Sequence, residues 1–366
     1  MFVIVIVVML FAALVLMHEA GHFIVARRNG VEAEEFGLGF PPRIWGRRFG
    51  RTLYSINLLP LGGFVRLKGE DGADLSAGTF GAATVWKKSK ILLAGVIVNF
   101  VTALVIMFIL CLTGLPGLGD FEPKFLSPSY ALPKQLFIGN VGEGSPAAKA
   151  GLRSGDYLLS VDGTALTSET QLRDYTRAHA GQSVNFDIRQ GDQRRNVDIT
   201  LRPPDAKDGY LGVATQPIYR LRYNVLEAVV AAVYITVALF VATIVGVVSL
   251  ILHLPQLIIG VFGNSVPAAA GQASGPLGIF VILQSIASLG WSYVWLFVAN
   301  IAVALAAFNV LPIPALDGGR LAVILFGRVT GRKFNPQAEA LYHTIGFIAL
   351  IGLIALITVY DFRKFF

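Results

Sequence analysis

Met1 to Val25 reads MFVIVIVVMLFAALVLMHEAGHFIV, and this stretch decides the fold. It is apolar for long enough to cross a bilayer as one helix. Near its end stands His18-Glu19-Ala20-Gly21-His22, an H-E-x-x-H pattern. Residues i and i+4 share a helix face, so both imidazoles can reach one metal ion. Glu19 lies beside them, where a general base toward water is expected. Two imidazoles and a carboxylate are costly at membrane depth, so they require a function or a partner. The segment could be mistaken for a signal peptide. It lacks a basic start, its apolar run is long, and histidines stand where a cleavage site would be, so it is read as a retained span.

The chain has 366 residues, 54% of them hydrophobic and only 14% charged, with mean hydropathy +0.64. Those values fit a polytopic membrane protein better than a globular one. A single cysteine, Cys111, excludes an internal disulfide and a four-cysteine zinc site, and its place in an apolar run points to packing. The net charge of +7 comes from basic residues beside hydrophobic segments. This favours membrane orientation over a nucleic-acid partner.

A first span is expected at about 2–25 and a second at 91–112. Residues 114–224 have the composition of a soluble domain. Apolar character returns at 225–252, at about 291–311 and at about 341–360. Segment 26–90 carries Arg27, Arg28, Arg43, Arg47, Arg48, Arg51, Arg66, Lys68, Lys87, Lys88 and Lys90 against fewer acids, which places it in the cytoplasm. The H-E-x-x-H motif then lies near the cytoplasmic end of its span, and 114–224 lies outside.

A tetrahedral catalytic zinc takes three protein ligands. His179 falls in the polar domain and reads as a surface residue. His253 caps an apolar run and reads as interfacial, and His343 reads as interfacial or packed. Asp317 ends a hydrophobic helix after a Pro-x-Pro break and precedes two glycines. By itself it is either a helix cap or a metal ligand; beside a membrane-buried H-E-x-x-H the ligand reading is favoured.

With His18–His22 in the first span and Asn309-Val310-Leu311-Pro312-Ile313-Pro314-Ala315-Leu316-Asp317-Gly318 near the end, the chain resembles the site-2 protease family of intramembrane zinc metalloproteases. Its layout is similar to the bacterial regulator-of-sigma-E type. Residues 37–42 (GLGFPP) and 59–65 (LPLGGFV) also match family segments, so the likeness covers nearly the whole chain. The resemblance implies Zn2+ held by His18, His22 and Asp317, catalysis by Glu19, and a hydrogen bond from Asn309 to the substrate backbone. A helix-packing amide is the alternative for Asn309. The reaction implied is hydrolysis of peptide bonds in single-span membrane substrates, such as release of an anti-sigma factor or clearance of signal-peptide remnants. The implied place is the bacterial inner (cytoplasmic) membrane.

A substrate helix must unwind before it is cut. Thr52 to Leu58 and Gly63 to Lys68 read as short strands with bends at Gly37, Gly39, Gly62 and Gly63. A hairpin edge there could pair with unwound substrate, with Gly62, Gly63 and Phe64 as contacts. A cytoplasmic loop with turns is the alternative.

GSPAAKAGLRSGD from Gly144 to Asp156, followed by YLLSVDG, reads as a short helix, a turn and a strand closed by an Asp-Gly turn. A helix at 168–179 and strands at 183–189 and 194–201 follow. This looks like a PDZ domain with its core at 138–204, either binding a peptide ligand or acting as a size filter. The expected architecture is thus a polytopic α-helical membrane protein of about four spans, with a re-entrant or interfacial helix, a membrane-associated β-hairpin and an inserted α+β PDZ domain. Its parts are 1–113, 114–224 and 225–366. One conflict stands. To bring Asp317 to the depth of His18, helix 291–311 must run inward, so either 225–252 lies along the interface or re-enters, or 278–289 recrosses. The competing functions are a catalytically silent PDZ-bearing membrane receptor and a zinc transporter. The first leaves the intact H-E-x-x-H and Asp317 unexplained, and the second leaves Glu19 and the PDZ domain unexplained.

Overall fold

The computed structural model describes residues 2–70, 74–131, 134–191, 193–206, 209–262, 286, 289–331 and 335–365. In chain order its elements are α1 (Phe2–Arg28), β1 (Ala33–Phe49), β2 (Thr52–Leu67), α2 (Val85–Thr113), β3 (Leu115–Pro116), β4 (Tyr130–Ala131), β5 (Gln135–Val141), α3 (Pro146–Lys149), β6 (Tyr157–Val161), β7 (Thr164–Ala165), α4 (Glu169–Ala178), β8 (Ser183–Gln190), β9 (Gln193–Thr200), β10 (Val213–Ile218), β11 (Arg220–Arg222), α5 (Val225–Leu252), α6 (Leu254–Phe262), α7 (Trp291–Val310), α8 (Asp317–Thr330) and α9 (Pro336–Phe365). Among the described residues, five helices are long and apolar enough to cross a membrane: Ile6–Arg28, Val85–Thr113, Val225–Leu252, Trp291–Val310 and Gln337–Phe362. The protein is a multi-pass membrane protein.

The chain divides into two compact units, one of Met1–Met107, Ala232–Leu283 and Phe297–Phe366, the other of Phe108–Ala231 and Gln284–Leu296. In the first, α1 is apolar on all sides, as a helix buried in protein or lipid must be. It stops where Gly30 takes a φ of 80° and Val31 N–H bonds back to the Ala26 carbonyl, a Schellman closure that only glycine forms without strain. Helices α1 and α2 run antiparallel. His22 meets Ile91, and Leu14 packs in one cluster with Ala103. Their backbones nearly touch: a Cβ on Gly21 would stand 2.8 Å from the Ala94 carbonyl oxygen. Small residues allow such approaches between membrane helices.

Helix α7 runs in the same direction as α1. Val298, Ala302 and Val303 pack with Leu14, while farther on Leu321 and Ile324 of α8 pack near Ala26. A glycine pair makes the turn between α7 and α8. A Cβ on Gly318 would stand 2.2 Å from the Leu311 carbonyl oxygen, and one on Gly319 2.1 Å from that of Ile313.

The expected hairpin is present but more elaborate than two short strands. Thr52–Leu67 is one continuous strand bent at Gly62, and β1 accompanies it from Ala33. Residues 35–38 pair on one side with 53–56 and on the other with 63–66, while 43–49 pair with 52–57. The edges of this folded ribbon are therefore 43–49 and 63–67. Phe36 and Tyr54 seat it on Phe23 of α1.

The second unit holds a sheet in the order β10-β5-β6-β8-β9, with β7 paired to β6, and a small sheet β3-β11-β4. Its core includes Leu136, Ile138, Leu158, Phe186, Ile188 and Ile199, closed by Leu172 of α4. The expected helices and strands from Gly144 to Leu201 are all found. The sheet starts earlier, at Gln135, and adds β10 well past residue 204, pairing it with β5.

Segment 225–252 is one continuous helix. It starts where the Tyr223 N–H bonds to the Cys111 carbonyl at the end of α2, and its Phe240 meets Phe100 edge to face. Most of the alternative recrossing at 278–289 lies outside the described residues.

Because the Gly319 collision is with backbone, the α7–α8 turn must move to admit a methyl. Gly319→Ala is expected to cost about 1–3 kcal/mol. Gly352→Ala, which meets no atom within 4 Å, should be neutral. Thermal unfolding of the purified protein in detergent measures both; equal melting temperatures would refute the tight turn.

Candidate metal centre

His18 and His22 project from one face of α1 and are buried. Asp317 opens α8. Leu316 occupies the N-cap and makes no side-chain cap bond. The Asp317 carboxylate turns instead toward the histidines: its Oδ2 lies 3.1 Å from His18 Nε2 and 3.2 Å from His22 Nε2, and the two Nε2 atoms are 3.1 Å apart. Asp317 is thus the first residue of α8 rather than its N-cap, and its first-turn position favours a negative charge.

These three residues are the group of histidine and acidic side chains able to hold a metal ion among the described residues. Asp317 Oδ2 has no hydrogen-bond donor in spite of its burial. Two ring nitrogens and a carboxylate oxygen thus converge within 3.2 Å of one another. Ligands about 2.0–2.1 Å from a tetrahedral zinc stand about 3.3 Å from one another, close to the separations found. The residues fit a zinc ion.

Helix α2 shapes this face from behind. His22 Nδ1 lies 2.7 Å from the Ile91 carbonyl oxygen, and His18 Nδ1 lies 3.1 Å from the fully buried Asn99 amide. Between them, a Cβ on Gly95 would stand 2.4 Å from His22 Nε2 and 2.5 Å from His18 Cε1. Ile91, Gly95 and Asn99 are one helical turn apart each and face the site together. Neither Gly95 nor Asn99 carries a local pattern that marks it as a site residue. A polar Asn99 and a glycine four residues before it, inside the apolar run ILLAGVIVNF, were the available signal.

Glu19 is partly buried beside the pair. The Val65 backbone is within hydrogen-bonding reach of its carboxylate, and a Cβ on Gly63 would stand 3.6 Å from Glu19 Cγ. The edge 63–67 therefore runs past Glu19. Gly62 makes the bend with a φ of 94°. The Phe64 ring lies over Gly37. Asn309 sits in the last turn of α7, partly buried, and among the described residues its side chain makes no hydrogen bond.

The Asp317 turn is braced from α9. Ala315 holds a φ of 74°, unusual for a residue with a side chain. Its N–H donates to His343 Nδ1 at 2.9 Å, and Gly346 lies against Pro314. Arg320, one turn after Asp317, pairs with the Glu70 carboxylate and donates to the Glu70 carbonyl at 2.8 Å. A cavity of about 680 Å³ opens onto Asp317 among Glu70, Arg320, Glu339 and His343. His343, read from the sequence as interfacial or packed, thus supports the turn. His179 stacks on Tyr175, and His253 bonds back to its own helix.

Among known proteins, the chain is 28% identical to the zinc metalloprotease RasP of Geobacillus kaustophilus, over 98% of this chain and 97% of that one. It is 26% identical to the regulator of sigma-W protease RasP of Bacillus subtilis, over 98% of each. A solved PDZ domain of an SdrC-like protein from Listeria monocytogenes is 26% identical, covering 25% of this chain and 93% of that one at a TM-score of 0.21. The sequence profile of peptidase family M50 matches residues 6–353, which takes in α1 with its two histidines and the turn at Asp317, and the chain belongs to that family.

Proposed function

We propose that the protein is an intramembrane zinc endopeptidase in which His18, His22 and Asp317 hold the metal and Glu19 is the general base. The observation that carries this is the convergence of His18 Nε2, His22 Nε2 and Asp317 Oδ2 at 3.1–3.2 Å, beside the Glu19 carboxylate. Zinc, when bound, supplies Lewis acidity toward a peptide carbonyl and makes water a nucleophile near neutral pH. The chain's own groups do the rest. Glu19 accepts the proton from the attacking water and delivers it to the leaving amine.

Substrate is presented as an extended strand. The edge 63–67, with Gly62, Gly63 and Phe64, runs beside Glu19 and is positioned to pair with unwound substrate. Asn309 is assigned to the substrate backbone on the family resemblance alone. The substrates proposed are membrane-tethered regulators of the anti-sigma class, consistent with a relative described as a regulator of sigma-W protease.

We place 26–90 in the cytoplasm and the PDZ-like unit outside it, in the bacterial cytoplasmic membrane, with the three parts 1–113, 114–224 and 225–366. Both α5 and α7 start at the end where α2 finishes: Tyr223 bonds to Cys111, and Arg220, whose strand pairs with β3, bonds to the Leu289 carbonyl. We therefore read Val225–Leu252 as a full crossing. In the PDZ-like unit, β10 is an edge strand beside α4, and a cavity of about 830 Å³ lies between them. That open edge supports pairing with an extended peptide.

Glu19→Gln should keep stoichiometric zinc and lower cleavage of a co-reconstituted single-span substrate by about a hundredfold or more. Undiminished cleavage would refute Glu19 as the base. Asp317→Ala should purify without zinc, measured by metal analysis; retained zinc would remove it from the ligand set. For the topology, single cysteines at His253 and Trp291 in a Cys111→Ala background should label from opposite faces of the membrane, with His253 cytoplasmic. Labelling from one face would overturn the crossing.

A further inference from the structure

A ring nitrogen can ligate a metal only through a free lone pair, so each ligating imidazole must carry its proton on the other nitrogen. For His22 the arrangement is forced. Its Nδ1 faces the Ile91 carbonyl at 2.7 Å, a pure acceptor, which fixes the proton on Nδ1 and frees Nε2. His18 faces an amide instead. As placed, Asn99 Nδ2 lies 3.1 Å from His18 Nδ1, while Asn99 Oδ1 is buried and has no partner. An NH2 in that position would donate to Nδ1 and push the imidazole proton onto Nε2, where it would block the atom that meets Asp317 and His22. The two ends of a carboxamide have the same shape, and hydrogen bonding alone decides between them. Nothing holds Oδ1 where it stands.

We infer that Asn99 is a positioning residue whose Oδ1 accepts the Nδ1 proton of His18, locking that imidazole in the tautomer that offers Nε2 to the metal. This rests on the zinc site proposed above. Helix α2 then serves the two ligands by different means, a backbone carbonyl for His22 and a side-chain amide for His18. Gly95 between them leaves room for both rings. Ile91 and Asn99 are fully buried, and the amide is the polar partner facing His18 Nδ1.

Donor and acceptor roles are separable by substitution. Asn99→Asp keeps an acceptor at the same reach and removes the NH2; Asn99→Leu keeps the volume and removes both. Zinc affinity of the purified full-length protein, measured by chelator competition in detergent, should be close to wild type for N99D. For N99L it should fall about ten- to a hundredfold, the usual effect of losing a partner of a metal-bound histidine. The cobalt-substituted absorption spectrum should keep its wild-type band pattern in N99D and change in N99L, while the metal-free melting temperatures stay alike. An N99D affinity as weak as that of N99L would show that the NH2 is the working end and overturn the inference. So would an unaffected N99L. Should N99L fail to fold, N99D decides alone: retained affinity supports the acceptor role, and a hundredfold loss refutes it. If the wild-type protein binds no zinc at all, the metal site itself falls, a result distinct from either Asn99 outcome.

Discussion

The closeness of two helix backbones, α1 and α2 at Gly21 and Gly95, governs the membrane unit. At that separation the Ile91 carbonyl reaches a histidine ring on the facing helix, and a short amide four residues beyond Gly95 reaches the other. A methyl at either glycine would fall on backbone or on an imidazole. Lipid provides no hydrophobic drive to bring helices together, so contact of small residues and buried hydrogen bonds must do it. Here the same contact that packs the helices also aims the two rings.

The third side of the site depends on a turn as tightly folded as that contact. Helix α7 descends alongside α1, and the chain must then reverse into α8 within a few residues. Gly318 and Gly319 sit where any side chain would collide with carbonyls of the preceding loop. Ala315 is held in a left-handed conformation by His343 and by the packing of Gly346 on Pro314. The carboxylate that emerges from this turn is fixed in height by backbone rather than by long flexible side chains. Arg320 and Glu70 then tie the turn to the loop after β2.

Much of this was readable in the sequence because the decisive pattern is local. The i, i+4 spacing of His18 and His22 follows from helix geometry, and Asp317 draws notice as a carboxylate behind a Pro-x-Pro break. Other features were hidden because they exist only between segments. Asn99 and Gly95 look like ordinary members of an apolar run until α1 lies on them. His343 has no local signature for bracing a loop in another helix. Strand β10, VATQPI, is polar and short of alternation, so its pairing with β5 comes from the sheet and not from its own residues. The doubly paired ribbon of β1 and β2 escaped for a similar reason: bends at glycines read as strand ends, whereas the structure uses Gly62 to carry one strand around a corner.

The positions of His22 and Asp317 at opposite ends of the chain have a further consequence during synthesis. A ribosome that has made the chain from α1 to β11 has made His18, Glu19 and His22 but not yet Asp317. If Asp317 is the third ligand, as proposed, the set is complete only when α7 has been made and the turn into α8 has closed. On the zinc site proposed here, a chain that stops before Asp317 lacks a metal ligand. The order of segments along the chain would then delay assembly of the proposed site until most of the membrane helices have been made.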